Sequence, residues 1–250
     1  EPKIADEFLS WGQKYENTKY KNIVRSSISP LPQKFAEISK NKIKQNSKIL
    51  ILPGSSGLYL SRNELFNNFK GELDNVQRFA KNINIDLIKK IYMKPHPKEL
   101  AKGLVYSKIF KSYFDRPIKT INIRTRISKL IPKTKITIFT HISTEFLKNL
   151  AINSPSIYVM SKYDKKILNK NASNFFQKLE DVNIVIQDGK KLAKFINKNY
   201  ENLEKWWFDY KTQNNIKSFV NEFANYSPES EKDFQKFFMN IKFNKFNFTK

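Results

Sequence analysis

The stretch KILILP (48–53) decides the predicted fold, because it is an unbroken apolar run that ends in a turn. A strand with one wet face alternates apolar and polar residues, whereas a continuous apolar run is typical of a strand covered on both faces. The following segment, GSSG (54–57), has the residues that tight turns prefer. The stretch therefore predicts a central strand of a parallel sheet.

Further apolar segments repeat this pattern along the chain and alternate with segments of helical spacing. The predicted strands lie at 48–53, 87–93, 119–124, 135–140, 155–160 and 182–187. The predicted helices lie at 64–69, 75–82, 141–153, 174–179 and 188–199, with one long helix at about 200–225. Alternating strands and helices predict an α/β fold, a Rossmann-like parallel sheet with helices on both faces.

Composition shifts suggest three parts of the chain. Residues 1–47 are mixed and include the proline-rich connector SPLP (29–32), so we interpret them as the remnant of a preceding domain followed by a linker. Residues 48–226 carry the strand and helix pattern and form the predicted Rossmann-like domain. The segment 227–250 is rich in phenylalanine and lysine, and we expect an additional tail there without assigning its structure.

The charge balance is strongly basic, with a net charge of +23 from 46 lysine and arginine residues. Only six of these are arginine, whereas proteins that read bases or clamp phosphates favour the bidentate arginine fork. We therefore expect attraction to anionic ligands or to an anionic membrane surface, and no nucleic acid as a partner.

The counts of reactive residues exclude several kinds of chemistry. The chain has no cysteine and two histidines, which excludes disulfides, makes a zinc site very improbable and suits a reducing, cytoplasmic compartment. No apolar run reaches about 18 residues, so no transmembrane helix is expected. No P-loop, GxGxxG pattern or GxSxG nucleophile elbow is present.

Polar groups suited to phosphate follow three of the predicted strands. Ligands of open α/β sheets bind at the carboxyl ends of the strands, so these groups are the candidate site. After the first strand, Gly54, Ser55 and Ser56 offer backbone amides and hydroxyls, and Arg62 follows them. An ordinary tight turn explains the same residues.

The second and third strand ends carry both histidines. In KPHP (94–97), two prolines stiffen the segment around His96, and Lys94 adds a positive charge. After the later strand, His141 precedes Ser143 and Thr144 at a helix start, where free amides attract an anion. Packing of His96 and ordinary helix capping by Ser143 or Thr144 are the alternative interpretations.

Three segments carry a resemblance to a known family. IYMKPHP (91–97), THISTEFLKNLAINSPSIYVM (140–160) and WWFDYKTQNNIKSFVNEFA (206–224) together resemble the C-terminal half of bacterial surface-carbohydrate transferases with the GT-B fold. More distantly, KPHP with the downstream Ser-Thr pair is similar to the His-Pro and Ser/Thr motifs of sialyltransferases, polysialyltransferases and the glycerophosphotransferases of capsule and teichoic acid synthesis. The likeness runs from about Trp11 to Ala224.

The resemblance implies roles for particular residues. In those families the histidine and the Ser/Thr pair hold the phosphate of a cytidine nucleotide donor, which implies this role for His96, Ser143 and Thr144, with Lys94 assisting. His96 could also protonate the leaving group. The families place the acceptor and the general base on an N-terminal domain, for which the residues before 48 leave no room, so we expect the base outside this chain.

These observations lead to an expected function and its alternatives. We expect the donor half of a glycosyltransferase of surface polysaccharide biosynthesis, with a CMP- or CDP-type nucleotide sugar as substrate and a carbohydrate or lipid-linked acceptor. No cofactor and no metal are expected, since no Asp-x-Asp motif occurs. We expect a cytoplasmic location, with contact to the inner face of the membrane left open. A CDP-glycerol-type glycerophosphotransferase and a basic, non-enzymatic domain that binds nucleic acid or anionic membrane remain alternatives.

Overall fold

The structure, a computed structural model, describes residues 8–10, 23–25, 40–54, 63–102 and 105–224, with residues 232, 235 and 239. The chain divides into two compact units, Ala36–Phe219 and the combination of Glu1–Phe35 with Val220–Lys250. In the second unit, strands β1 (Phe8–Ser10) and β2 (Ile23–Arg25) pair in parallel. The divisions at residues 47 and 226 that the sequence suggests stay a prediction.

The first unit alternates strands and helices along the chain. Its strands are β3 (Ile49–Leu52), β4 (Ile91–Met93), β5 (Lys119–Thr120), β6 (Ile136–Phe139), β7 (Ser156–Val159) and β8 (Val185–Ile186). Its helices are α1 (Lys40–Gln45), α2 (Asn63–Ala80), α3 (Ile85–Ile88), α4 (Val105–Ser112), α5 (Thr144–Ala151), α6 (Lys162–Ile167), α7 (Lys170–Glu180), α8 (Gly189–Asn199), α9 (Leu203–Trp207) and the part of α10 (Tyr210–Phe223) that ends at Phe219. Shorter 3₁₀ turns lie at Pro97–Lys102, Ile127–Lys129, Ile131–Lys133 and Tyr200–Asn202.

The strands β3 to β8 form one parallel sheet in the order β5-β4-β3-β6-β7-β8. Ile51 of β3 lies beside Met93 of β4 on one side and beside Ile138 of β6 on the other. If β3 is counted as the first strand, this is the 3-2-1-4-5-6 order of the Rossmann fold. The predicted fold class is confirmed, and each predicted strand segment contains an observed strand.

One face of the sheet packs against α2, α4 and α8. Ile49 and Ile51 point to this face, where they join Val76 and Phe79 of α2 and Leu192 of α8 in the main apolar cluster. All four residues of β3 are buried, as the continuous apolar run predicts. Burying each such side chain contributes about 1.5–3 kcal/mol, so this strand anchors the fold.

The other face of the sheet carries an aromatic cluster. The ring of Phe146 in α5 lies 5.4 Å from Phe139 of β6 and 5.7 Å from Tyr158 of β7. Phe219 of α10 lies 5.3 Å from Phe176 of α7, with the rings edge to face. These centroid distances are typical of favourable aromatic pairs. Helices therefore cover both faces of the sheet, as predicted.

Helix α8 begins where the sequence predicts. The carboxylate of Asp188 accepts hydrogen bonds from the N–H groups of Lys190 (2.8 Å) and Lys191 (3.0 Å), which satisfies two free donors of the first turn. Gly189 then lets α8 approach α2 closely, because a β-carbon at that position would lie 1.8 Å from the carbonyl oxygen of Asn75.

The two helical segments predicted at 64–69 and 75–82 form a single helix, α2, so the predicted interruption is wrong. Gly71 lies inside the helix, between the two predicted segments. Its role is packing, because a β-carbon there would lie 3.0 Å from the β-carbon of Ser161. The small residue brings α2 close to the segment that follows β7.

The single long helix predicted at 200–225 is also wrong. The structure has a 3₁₀ turn, the short helix α9 and then α10, with an interruption at Phe208 and Asp209. The carboxylate of Asp209 accepts from the N–H groups of Lys211 (3.0 Å) and Thr212 (3.3 Å), so this residue caps a new helix. Periodicity alone did not distinguish such an internal cap from an exposed helical position.

The strand predicted at 87–93 is shorter than expected. Residues 85–88 form the helical turn α3, and only Ile91–Met93 pair as strand β4. Leu87 and Ile88 are buried in that turn, so their apolar character reflects packing of a helix. Within the described ranges, no helix is long and apolar enough to cross a bilayer.

Candidate functional site

The order of the strands places a switch point between β3 and β6. The chain leaves β3 toward β4 on one side and later returns to β6 on the other. In such sheets the crevice for a ligand lies outside the carboxyl ends of the strands at this point. Gly54 follows β3 here, and Thr140 and His141 follow β6.

Lys94 comes directly after β4 and is buried, with 4% of its surface exposed. Its Nζ donates to the backbone carbonyls of Pro95 and Ile123, each at 3.3 Å. Burial lowers the pKa of Lys94, and the nearby carboxylate of Glu145 acts in the opposite direction. An ammonium group held with little water at a strand end is well suited to bind an anion.

His96 is half-buried at the beginning of the 3₁₀ turn Pro97–Lys102. The backbone N–H of Lys98 donates to its Nδ1 at 3.2 Å. Because Nδ1 is an acceptor, the neutral imidazole carries its hydrogen on Nε2. The local fold therefore sets the tautomer that can donate a hydrogen bond from Nε2.

His141 lies two residues beyond β6 and is also half-buried. Its Nδ1 is buried and has no hydrogen-bond partner among the described residues. Burial lowers the pKa of His141, the charge of His96 lowers it further, and the carboxylate of Asp164 raises it. The two histidines of the chain therefore lie within electrostatic range of one another, at one edge of one sheet.

Ser143 and Thr144 lie at the beginning of α5. The hydroxyl oxygen of Ser143 accepts from the N–H of Phe146 at 3.3 Å, so it caps the helix. Thr144 is exposed on the first turn. Glu145 pairs with Lys148 at 3.0 Å on the same helix. The capping role that the sequence left open for Ser143 is therefore present, and binding of a phosphate by either hydroxyl stays a prediction.

The turn after β3 is described only at its first glycine. The N–H of Gly54 donates to Oε1 of Glu72 at 3.0 Å and lies 3.3 Å from Oγ1 of Thr140. The predicted ligand-binding residues Ser55, Ser56 and Arg62 lie outside the described residues. The one amide of this turn that can be described thus faces a carboxylate of the protein itself.

Sequence reasoning missed the carboxylate at the switch point. Glu72 is buried on α2, where its Oε1 accepts from Gly54 and from the hydroxyl of Thr140. Burial raises the pKa of Glu72, whereas the hydrogen bonds from Thr140 and Gly54 lower it and the charge of Asp164 raises it. One signal was available, since Glu72 precedes Val76 and Phe79 at helical spacing and so lies on the buried face of α2.

Metal binding finds no support in the part of the chain that the structure describes. No group of three or more His, Cys, Asp or Glu side chains in it could hold a metal ion. Among the described residues that follow the strands at this edge, Lys94 and the two histidines can offer positive charge to a ligand, and the carboxylate of Glu145 lies near Lys94.

Comparison with known families gives one match that covers most of the chain. The family model described as LIC12162 family transferase matches residues 1–238. A comparison with curated protein sequences gives no significant match.

Comparison with solved structures gives matches to two kinds of enzyme. A structure of the wall teichoic acid polymerase TagF is 14% identical, with a TM-score of 0.47, and the match covers 97% of this chain and 60% of that one. A structure from work on glycosyl transfer by trehalose-6-phosphate synthase is 9% identical, with a TM-score of 0.45, and covers 82% of this chain and 51% of that one. The chain therefore spans about 60% of the length of the TagF structure it matches.

Proposed function

The chain belongs to the LIC12162 family of transferases, and from this premise we propose that it binds the nucleotide donor of a glycosyltransferase of cell-surface polysaccharide biosynthesis. The observation that carries the proposal is the set of groups at the carboxyl edge of the sheet. Lys94 and His96 follow β4, His141 follows β6, and the charge of His96 reaches His141. A phosphate is the part of a nucleotide donor that these groups fit.

The chemistry of transfer explains why cationic and donor groups are needed at this edge. When the bond to the transferred group breaks, negative charge builds up on the phosphate of the leaving nucleotide. Fixed donors that point at this charge stabilise the transition state more than the ground state. The ammonium of Lys94 supplies positive charge, and Nε2 of His96 supplies a hydrogen bond or a proton.

The resemblance of the sequence motifs also supports a particular donor, acceptor and location. A CMP- or CDP-type sugar is the proposed donor, bound without a metal, and a carbohydrate or lipid-linked molecule is the proposed acceptor. The proposed location is the cytoplasm, near the inner face of the membrane, where a basic protein of net charge +23 is attracted by anionic lipids.

A second candidate function uses the same groups. The described groups would contact the phosphate and leave the transferred group undetermined. A glycerophosphotransferase with a CDP-glycerol donor would need the same ammonium and imidazoles, and it is therefore the alternative within the enzymes.

Thermal unfolding in the presence of nucleotides tests the proposal. We expect CMP or CDP to raise the melting temperature, with a smaller effect of UDP and none specific to an oligonucleotide. His96→Ala and Lys94→Met should remove the shift caused by CMP or CDP. Lys119→Met removes one charge from an exposed position in β5 and should keep the shift, so it is the matched control. Equal stabilisation by oligonucleotides, unchanged in His96→Ala, would instead support a basic binding domain.

A further inference from the structure

Glu72 is the structural centre of the switch point. It lies in the middle of α2, with 8% of its surface exposed, and its side chain reaches the ends of two neighbouring strands. Its Oε1 accepts from the N–H of Gly54, at the end of β3, at 3.0 Å. The same oxygen accepts from the hydroxyl of Thr140, at the end of β6. One carboxylate thus ties a helix to both strands that flank the predicted ligand crevice.

The carboxylate of Glu72 and the ring of His141 lie against the same side of Gly54. A β-carbon at position 54 would lie 3.1 and 3.2 Å from the two carboxylate oxygens and 3.2 Å from Cγ of His141. The absence of a side chain at Gly54 lets both groups approach the backbone at this point. Thr140, which Glu72 holds, is also the residue directly before His141 in the chain.

Hydrogen bonds fix the side chain of Glu72 against the backbone of Gly54. A buried amide without an acceptor costs about 1–3 kcal/mol, and the N–H of Gly54 has its shorter bond, at 3.0 Å, to Glu72 and a longer one, at 3.3 Å, to Oγ1 of Thr140. Asp164 of α6 lies within electrostatic range of Glu72. The carboxylate is therefore held from several sides and can hold its own partners in turn.

From these contacts we propose that Glu72 is a positioning residue, which fixes His141 at the donor site by holding Gly54 on one side and Thr140 on the other. This inference rests on the proposed function. It also assigns the amide of Gly54 to Glu72 instead of to the donor phosphate, which leaves the phosphate to the groups that follow β4 and β6. Glu72 itself does not contact the donor in this arrangement.

Nuclear magnetic resonance of the imidazoles tests the position of His141 directly. The chain has two histidines, so its spectrum holds two imidazole Cε1–H signals, and His96→Gln identifies them. We expect Glu72→Ala to shift the signal of His141 and to weaken CDP binding about tenfold or more. Glu72→Gln keeps an oxygen acceptor for Gly54, so it should restore the His141 signal and bring the affinity to within about threefold of the parent protein.

Two further variants separate positioning from general loss of stability. Glu204→Ala removes another buried glutamate, on α9, with 1% of its surface exposed, and should change neither the His141 signal nor the affinity for CDP. If Glu72→Ala does not fold, Thr140→Val removes the hydroxyl that donates to Glu72 and that lies 3.3 Å from the N–H of Gly54, and it should still shift the His141 signal. An unmoved His141 signal in the folded Glu72 and Thr140 variants would overturn the inference.

The same measurements distinguish a wrong donor assignment from a wrong positioning role for Glu72. If the parent protein binds neither CMP nor CDP, the donor assignment is wrong. The His141 signal of the Glu72 variants, measured without any nucleotide, then still decides for or against the positioning role. If CDP binds normally and Glu72→Ala weakens it no more than Glu204→Ala does, the positioning role is wrong and the donor assignment stands.

Discussion

The backbone N–H of Lys98 donates a hydrogen bond to Nδ1 of His96 at 3.2 Å, so the neutral ring of this histidine carries its hydrogen on Nε2. The bond is local, because the two residues are separated only by Pro97. In the segment KPHP (94–97), Nε2 of His96 is therefore the ring atom that can donate a hydrogen bond.

The tautomer of His96 predicts how its substitutions differ. Glutamine can place its amide nitrogen near the position of Nε2, whereas asparagine matches the position of Nδ1. We therefore expect His96→Gln to retain part of the affinity for CDP, and His96→Asn to lose about 10- to 100-fold, as for a lost hydrogen bond to a charged group. Isothermal titration calorimetry measures both values. Equal losses in the two variants would show that Nε2 is not the binding atom.

His141 predicts a pH dependence of stability. Its pKa is lowered in the folded state from an ordinary value of 6.5, mainly by burial and then by His96. The unfolded chain therefore binds the proton more readily, so stability is full above about pH 6.5 and falls as the pH drops from there toward the folded pKa. Urea unfolding of the parent protein and of His141→Gln at several pH values should show a difference that changes in this window.

A second variant checks the cause of the shift at His141. Because the charge of His96 lowers the pKa of His141, His96→Gln should raise that pKa, read from the Cε1–H signal in a pH titration. The shift from burial should remain, so the pKa is expected to stay below the ordinary value. A titration curve of His141 that is identical in the parent protein and in His96→Gln would mean that the two rings do not interact.

The close packing at Gly189 predicts that Gly189→Ala, which adds one methyl group, causes a large loss of stability. In Gly189→Ala the β-carbon would lie 1.8 Å from the carbonyl oxygen of Asn75 and 2.8 Å from the nitrogen of Phe79. Both atoms belong to the backbone of α2, so the two helices must separate, at a cost of about 2–4 kcal/mol. Urea unfolding measures it, and Lys190→Ala at the exposed neighbouring position should change stability by less than about 0.5 kcal/mol.

The cap that Asp188 provides for α8 is expected to stabilise the protein near neutral pH and to lose this effect in acid. Burial raises the pKa of its carboxyl, but hydrogen bonds from Arg78 and from the N–H groups of Lys191 and Lys190 outweigh this and lower it below 3.8. A carboxyl whose pKa is lower in the folded than in the unfolded chain stabilises the fold at pH values above its pKa in the unfolded chain. This stabilisation is lost as the pH falls through the pKa that the carboxyl has in the folded chain. Asp188→Ala should therefore cost about 1 kcal/mol near pH 7.

Unfolding measurements at acidic pH are the control for the role of the Asp188 charge. The difference between the parent protein and Asp188→Ala should shrink steadily below about pH 4, where the carboxyl becomes protonated. A difference that does not depend on pH would indicate that Asp188 acts through packing instead of through its charge.

Much of the architecture could be predicted from the sequence because it depends on short-range patterns. The continuous apolar runs mark strands that are buried on both faces, and the six predicted segments each contain a strand of one parallel sheet. Asp188 marks the beginning of α8 because a capping side chain acts within three residues. The placement of His96 and His141 at one edge follows from the same reasoning, since parallel strands end together.

Only the tertiary structure decided which groups meet at that edge. Glu72 is 18 residues from Gly54 and 68 from Thr140, and helical spacing shows that it is buried without naming its partners. Gly71 lies between the two helical segments predicted from the sequence, and its close neighbour, Ser161, follows a strand that is distant along the chain. Local patterns are set by the energetics of one segment, whereas the contacts of Glu72 exist because the sheet brings distant segments together.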